Sequence, residues 1–297
     1  MNRVGLVVHP SREEAVKAAV ELTGWLRRRG LETALAGEVD GVPADRRLPP
    51  KPDSEQVAGL DLVVAVGGDG TFLRGAHLAA MAGCPVLGVK AGRMGFLTEV
   101  EPGEAPELIE QVLAGDARIE SRTAVEAEPE GAGWAGRRWA LNEFIVEKAA
   151  RHRVITLAAF IAGEYVATLS GDGVIVATPT GSTAYSFSAR GPIVSPAVEA
   201  LVVTPIAAHM VFDRSFVLAS EEEVVLEVQG EEPGLLSGDG RDSLELPVGA
   251  RVRIRVSGRP ARLVRPKGAH GFHRLVREKF DLPGNHDRLA DDPPAPG

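Results

Sequence analysis

The sequence predicts an open, mostly parallel α/β domain followed by a β-rich domain, and three observations carry that expectation. Short apolar runs alternate with helical stretches up to about residue 120. From there to about residue 262 the apolar runs are short, rich in β-branched residues and punctuated by glycine. Between them in weight stands the turn GGDGT at 67–71, which falls where an apolar strand empties into a helix.

Taken in order, VGLVV (4–8) is the first strand. A helix follows, opened by Ser11 with Glu14 three residues on, the pattern of a capping box, and closed by Arg27, Arg28, Arg29 and Gly30. Between Leu31 and Ala58 the pattern lapses into a segment with four prolines, which reads as a mobile loop. DLVVAV (61–66) is the next strand, a helix runs from Thr71 to Ala82 and stops at Gly83, and PVLGV (85–89) is the strand after it. The last helix of this half presents Leu108, Ile109, Val112 and Leu113 on one face and ends at Gly115. In the second half RVITLAAFIAG, EYVATLSG, VIVAT, EEVVLEVQG and RVRIRVSG read as strands, and Val252, Ile254 and Val256 alternate with Arg253 and Arg255 as a half-buried strand requires. HGFHRLVREKF (270–280) is the expected return helix against the first domain, and the closing DDPPAPG reads as a disordered tail. The expected organisation is therefore 1–118 for the α/β domain with 263–282 returning to it, 119–262 for the β-rich domain and 283–297 for the tail.

Composition narrows the function. At 297 residues and 44% hydrophobic, the chain has enough apolar material for one large core or two smaller ones. A net charge of −8 and a pI near 5.5 argue against sequence-independent nucleic-acid binding, which needs a basic surface to displace counterions, and favour a small-molecule partner. Cys84 is the single cysteine, so no internal disulfide forms. The opening MNRVGLVVHP has neither a signal-peptide core nor a span of about 20 apolar residues, which reads as cytoplasmic.

Four stretches carry candidate chemistry. In VAVGGDGTF the glycines let the backbone bend and approach a ligand, but Asp69 would repel a bare phosphate, so it is expected to do something other than hold one. A tight turn capped by Asp69 or Thr71 is the plainer alternative. In GDGVIVATPTGSTAYSFS (171–188) a Pro-Thr-Gly turn and a run of hydroxyls resemble a binding loop, with Tyr185 and Phe187 suited to a flat aromatic ligand; a Ser/Thr-rich surface loop is the alternative. ALNEF (140–144) pairs an amide with a carboxylate at the head of a strand. Adjacent strand residues point to opposite faces, so Asn142 and Glu143 reach one ligand only if the backbone bends there. SGDGRD (237–242) reads as a hairpin turn.

Together these stretches resemble one family, the NAD kinases. The resemblance rests on GGDGT, PVLGVKAGRMGFLTEV (85–100), ALNEF, GDGVIVATPTGSTAYSFSARGPIVSP (171–196), VVTPIAAH (202–209) and GDGR, and it covers nearly the whole chain to about Asp281. GGDGT alone is shared with phosphofructokinases and diacylglycerol-type lipid kinases; the TPTGSTAYS block is far more specific. The resemblance implies a Rossmann-like α/β domain plus a β-sandwich, with the site between them, and transfer of the terminal phosphoryl group of ATP, or of polyphosphate, to the 2′-hydroxyl of the adenosine ribose of NAD. It implies Asp69 as proton acceptor, with Asp69 and Gly70 bordering the dinucleotide, Asn142 and Glu143 gripping a ribose, Asp172 at the nicotinamide end, and Thr183, Ala184, Tyr185, Ser186 and Ser188 lining the adenine and ribose pocket. Arg153 and Arg241 complete the implied NAD-binding set. Without a lysine-bearing phosphate loop, the donor is expected on Gly67, Gly68, Gly70 and Thr71 with a divalent cation, Mg²⁺ or Mn²⁺, and no resident metal site. Homodimers or homotetramers are the family habit. Lys90, Arg190, Ala207, Ala208 and Arg241 depart from the usual family residues, and Lys90, Arg93 and Arg190 are candidates to assist phosphate binding or are simply solvated cations. The alternatives are a lipid or sugar kinase that shares GGDGT and a catalytically silent NAD-binding regulator.

Overall fold

A computed structural model describes residues 3–92, 95–133, 136–207 and 214–282. The first half supplies β1 (Arg3–Val8), α1 (Glu13–Arg28), β2 (Glu32–Ala36), β3 (Arg46–Leu48), α2 (Ser54–Val57), β4 (Leu62–Gly67), α3 (Asp69–Ala82), β5 (Val86–Lys90), α4 (Ala105–Ala114) and β6 (Arg118–Arg122). The second half supplies β7 (Val125–Glu130), β8 (Arg138–Ala140), β9 (Glu143–Lys148), β10 (Ile155–Ile161), β11 (Glu164–Gly171), β12 (Gly173–Ala177), α5 (Tyr185–Ser188), β13 (Ala200–Ile206), β14 (Phe216–Ala219), β15 (Val224–Gln229), β16 (Gly234–Gly238), β17 (Arg241–Leu246), β18 (Arg251–Val256) and β19 (Ala261–Arg265).

The N-terminal domain is a seven-stranded sheet in the order β3-β2-β1-β4-β5-β19-β6, parallel except where β19 meets β6. Its strands are apolar on both faces because helices cover both. Val64 and Val66 of β4 pack with Leu22 and Leu26 of α1 and Ile109 of α4, whereas Val63 and Ala65 pack with Phe72, Leu73 and Ala76 of α3. Trp139 and Leu141 join this second cluster, so α3 lies between the parallel sheet and the C-terminal domain. That domain is an antiparallel β-sandwich of two six-stranded sheets, β11-β10-β15-β18-β7-β8 and β14-β13-β12-β9-β16-β17. Its core interleaves Val125, Leu157, Leu226 and Ile254 from the first with Val146, Val174, Leu201 and Leu236 from the second. Near its end the chain returns to the first sheet through β19, whose Leu263 pairs with Val86.

Two local expectations change. The Leu31–Ala58 segment is not a plain loop: β2 and β3 form the parallel edge of the first sheet, and α2 carries a complete Asp53–Gln56 capping box. Helix α1 has no capping box at Ser11. Its N-cap is Arg12, which has no side-chain acceptor to cap with, and the Ser11 N–H turns back to His9 Nδ1 at 3.3 Å. Helices α3 and α4 do end at Gly83 and Gly115, both left-handed, at φ 69° and 79°, where a side chain would be strained.

The chain up to Lys267 is one compact unit and the segment from Gly268 is another, containing α6 (Phe272–Lys279) with Leu275 and Val276 on its buried side. The tail expected at 283–297 lies outside the described residues. Among the described residues no helix is long and apolar enough to cross a membrane.

Candidate active site

Strand β4 ends at Gly67 and α3 begins two residues later, so GGDGT forms the turn at the carboxyl edge of the parallel sheet, where open α/β sheets hold ligands. Asp69 stands in the first helical turn, and its carboxylate reaches across to the segment after β5. Oδ2 accepts the Phe96 N–H at 2.8 Å; Oδ1 accepts the Leu97 N–H at 3.1 Å and the Thr98 hydroxyl at 3.3 Å. Gly95 makes this approach possible, since a Cβ there would fall inside the carboxylate. The sequence alone sets Asp69 apart from holding a bare phosphate; the structure has it holding the 96–98 segment. A carboxylate offers about four lone-pair sites. Three are taken, and the open one on Oδ2 is where a substrate hydroxyl can bind.

Asn142 and Glu143 sit at a corner of the sandwich. Strand β8 belongs to one sheet and β9 to the other, and the backbone bends at Leu141 and Asn142 between them. That is the bend two adjacent side chains need to serve one ligand. It is held by Asp239, whose carboxylate is fully buried and accepts the N–H groups of Leu141 at 2.9 Å, Asn142 at 2.8 Å and Glu143 at 3.4 Å. Asp239 in turn is presented by the β16–β17 hairpin, where Asp239 and Gly240 both have positive φ, 50° and 64°, as a two-residue type I′ turn requires. The hairpin was legible in SGDGRD; the clamp was not, because the two segments lie about a hundred residues apart.

Two atoms of this corner, Asn142 Oδ1 and Glu143 Oε2, are buried without a hydrogen-bond partner. Burial pushes the Glu143 carboxyl up to about 8, the Asp239 charge adds to the rise, and the Tyr185 N–H opposes it. Burial likewise raises Asp239, against the three backbone donors and Arg241. Glu143 is thus largely protonated near neutral pH and able to donate as well as accept, which suits a ribose hydroxyl.

The TPTGSTAYS loop lies directly on this corner. The Thr178 N–H donates to Asn142 O at 2.8 Å, the Thr178 hydroxyl to Leu141 O at 2.6 Å, and Gly181 touches the Asn142 backbone so closely that no Cβ fits. Several hydroxyls serve the loop itself: Thr183 donates to Thr180 O at 3.2 Å, and buried Ser186 bonds Thr204 at 3.0 Å. Tyr185, Phe187 and Ser188 are exposed, while Ala184 is half-buried. Asp172 is paired with Lys148 at 2.5 Å, and its charge, after burial and Glu147, raises the Tyr185 hydroxyl, so Asp172 and Tyr185 share one neighbourhood.

A continuous polar path joins the GGDGT turn to this corner. Glu99, next to the segment that Asp69 holds, pairs with Arg265 at 3.3 Å; Arg265 pairs with Glu120 at 3.3 Å; Glu120 pairs with Arg122; and Arg122 reaches the Thr180 hydroxyl at 3.4 Å. A second link runs from α3, where Arg241 Nη2 meets His77 Nδ1 at 3.1 Å and the Trp139 carbonyl at 3.4 Å. Burial and the Arg241 charge push His77 down to about 4, so it stays neutral and accepts from the guanidinium. Arg241 therefore spans the two domains. Arg153 is exposed and paired with Glu232 at 3.3 Å. Lys90 is paired with Glu101 at 2.6 Å, and Arg190 and Ala207 take left-handed φ of 67° and 46°, the region where glycine costs least. Arg93 and Ala208 lie outside the described residues. Among the described residues no three His, Cys, Asp or Glu side chains cluster as a metal ligand set.

Comparison with known proteins places both halves of the chain in one family. A family model described as the ATP-NAD kinase N-terminal domain matches residues 4–117, and one described as the ATP-NAD kinase C-terminal domain matches residues 141–266. An NAD kinase of Thermobifida fusca (strain YX) is 40% identical over 290 residues, covering 94% of this chain and 89% of that protein. An NAD kinase of Rhodococcus opacus (strain B4) is 40% identical over 299 residues, covering 94% and 92%. Among solved structures, an NAD kinase from Archaeoglobus fulgidus in complex with ATP superposes with a TM-score of 0.72 at 26% identity, over 96% of this chain and 100% of that one. A yeast NADH kinase complexed with NADH shares the fold, with a TM-score of 0.84 at 24% identity over 98% of this chain and 90% of that one. With both domains matched in order and two-fifths of residues identical over nearly its full length, the chain belongs to the ATP-NAD kinase family, phosphotransferases with an alcohol group as acceptor.

Proposed function

We propose that this chain transfers the terminal phosphoryl group of ATP to the 2′-hydroxyl of the adenosine ribose of NAD, giving NADP. The observation that carries this reading is the pair of buried atoms without partners, Asn142 Oδ1 and Glu143 Oε2, at the corner under the TPTGSTAYS loop. A buried polar atom left unpaired costs about 1–3 kcal/mol, and two ribose hydroxyls supply the missing bonds. Asp69 takes the proton of the 2′-hydroxyl through its open Oδ2 position as the oxygen-to-phosphorus bond forms; the bond from phosphorus to the bridging oxygen breaks, and ADP leaves with that electron pair. Asp69 and Gly70 border the dinucleotide. Gly67, Gly68, Gly70 and Thr71 face the donor. Asp172, displaced from Lys148, accepts from the carboxamide, Tyr185 stacks on a base, and Ala184, Thr183, Ser186, Ser188, Arg153 and Arg241 frame the remaining pocket. The divalent cation, Mg²⁺ or Mn²⁺, arrives on the phosphates of the donor, whose charge it neutralises. A cytoplasmic homodimer or homotetramer is the assembly we assign, on the habit of the family.

The test is incubation of the purified chain with NAD, ATP and magnesium, reading NADP with a dehydrogenase specific for it. ATP-dependent NADP formation supports the reading; NAD binding without turnover, or phosphorylation of a sphingoid base or glyceride in its place, overturns it. The same assay with polyphosphate or with NADH defines the donor and acceptor range.

A further inference from the structure

The GGDGT turn lacks the lysine of other phosphate loops, and Lys90, near the donor glycines in sequence, is paired with Glu101. The structure brings a cation from elsewhere. Strands β1, β4 and β5 are neighbours in the parallel sheet, and the chain leaves their carboxyl ends at His9, Gly68 and Ala91. Arg12, in the turn after β1, extends over the other two ends. Its Nη1 donates to the Ala91 carbonyl at 2.8 Å, and a Cβ built on either Gly68 or Gly92 would stand 3.5 Å from that same nitrogen. One guanidinium therefore covers both glycine-lined backbones, with nothing but hydrogen on the glycines to keep a ligand away.

Its surroundings favour an anion. Helices α1 and α3 both begin at this edge, and neither N-terminus is capped by a side chain. Each directs the positive end of its dipole at the same crevice, offset in part by Glu13 and Glu14 in the first turn of α1 and by Asp69 in that of α3. His9 lies beside Arg12 and Arg74, whose charges, after burial, hold its imidazole below the usual range. Its Nδ1 accepts the Ser11 N–H, so the ring carries its proton on Nε2 as a neutral donor. Arg74 reaches the Val8 carbonyl at 3.3 Å and adds to the local field. Glu14 borders the far side, 3.9 Å from the Gly92 Cβ position, so the cationic face is the one toward Gly68.

We infer that Arg12, with His9 beside it, is the anchor for the terminal phosphates of the nucleoside triphosphate donor, supplying across the sheet edge the positive charge that GGDGT lacks. The guanidinium binds two phosphate oxygens in its planar fork while Nη1 keeps its contact with Ala91, and the glycine backbones at 68 and 92 bring the phosphates close. This rests on the phosphoryl-transfer reading above.

Arg12→Gln removes the charge and keeps a polar side chain. A hydrogen bond to a charged group is worth roughly tenfold to a hundredfold in affinity, so the KM for MgATP rises by at least about tenfold while the KM for NAD stays within about threefold. Arg12→Lys, which keeps the charge without the fork, falls between wild type and Arg12→Gln. Direct titration of MgATP without NAD, on wild type and both variants with their melting curves alongside, separates binding from folding. A wild-type chain that binds MgATP but forms no NADP defeats the reaction reading, and the titration still measures the arginine. An unchanged MgATP affinity in Arg12→Gln, or equal loss of MgATP and NAD affinity in a folded Arg12→Lys, overturns the assignment.

Discussion

Replacing Asp239 by alanine is expected to damage the acceptor side of the site while leaving the donor side alone. The side chain is fully buried and accepts three backbone N–H groups, two at 2.8 and 2.9 Å and one longer, at 3.4 Å. Counting only the two short bonds, each buried donor left without a partner costs about 1–3 kcal/mol, so Asp239→Ala loses about 2–6 kcal/mol of folding stability, less where water enters. The bend at Leu141–Asn142 relaxes with it, and Asn142 and Glu143 lose their shared aim. Asp239→Asn is the sharper probe: it keeps the shape and one acceptor, but its amide group opposes one of the N–H donors. We expect Asp239→Asn to remain folded, to raise the KM for NAD by about tenfold, and to change the KM for ATP by less than about threefold, measured by steady-state kinetics with thermal melting as the control. Equal rises in both constants, or an Asp239→Ala protein as stable as wild type, would show that the carboxylate does not organise this corner.

Glu143→Gln gives a pH test. Because the folded-state carboxyl is raised to about 8 from an ordinary value of 4.5, folded protein binds more protons than unfolded between those values. Its contribution to stability is complete below about 4.5 and lost as pH rises through about 8. The melting temperature of Glu143→Gln relative to wild type therefore climbs between pH 5 and pH 9, and a flat difference refutes the raised carboxyl. Asp172→Ala removes the Lys148 partner and the proposed carboxamide acceptor, so the KM for NAD rises roughly tenfold or more with the KM for ATP nearly unchanged; equal changes in both would remove that role. Tyr185→Ala weakens NAD binding more than Tyr185→Phe if the ring stacks on a base, and equal losses in a direct titration point instead to the hydroxyl.

What the sequence made legible was local. Period-two and period-3.6 patterns carry the buried strands and helices, Gly83 and Gly115 mark helix ends by their left-handed backbone, and Gly240 marks a hairpin, since each signal lies within a few residues of its effect. Strand β2 and its neighbour, the edge strand β3, escaped because five and three residues, with prolines in the segments that follow them, carry too little pattern. The Ser11 box failed because the helix takes Arg12, one residue on, as its N-cap, and the Ser11 N–H bonds His9 instead. At the site, residue types were legible and partners were not. Asp69 reads as a glycine-bounded carboxylate, yet its hydrogen bonds come from residues 96–98; Asp239 reads as a turn residue, yet it organises residues 141–143. Arg12 has no local motif, and its contact at Ala91 lies on a different strand end. Such long-range pairings are set by sheet order and domain packing, which local periodicity does not encode.

The central claim is that one carboxylate, fixed by the Phe96 and Leu97 N–H groups and the Thr98 hydroxyl, keeps a single open position for the reacting hydroxyl. Asp69→Asn preserves the shape and the chance of some of those hydrogen bonds while removing basicity, and a positioned base contributes about 10²–10⁴-fold. The measurement is kcat for NADP formation by Asp69→Asn beside NAD affinity by titration without donor. The account predicts a fall in kcat of roughly 10²-fold or more with NAD affinity changed by less than about tenfold. Turnover retained near the wild-type rate would contradict it.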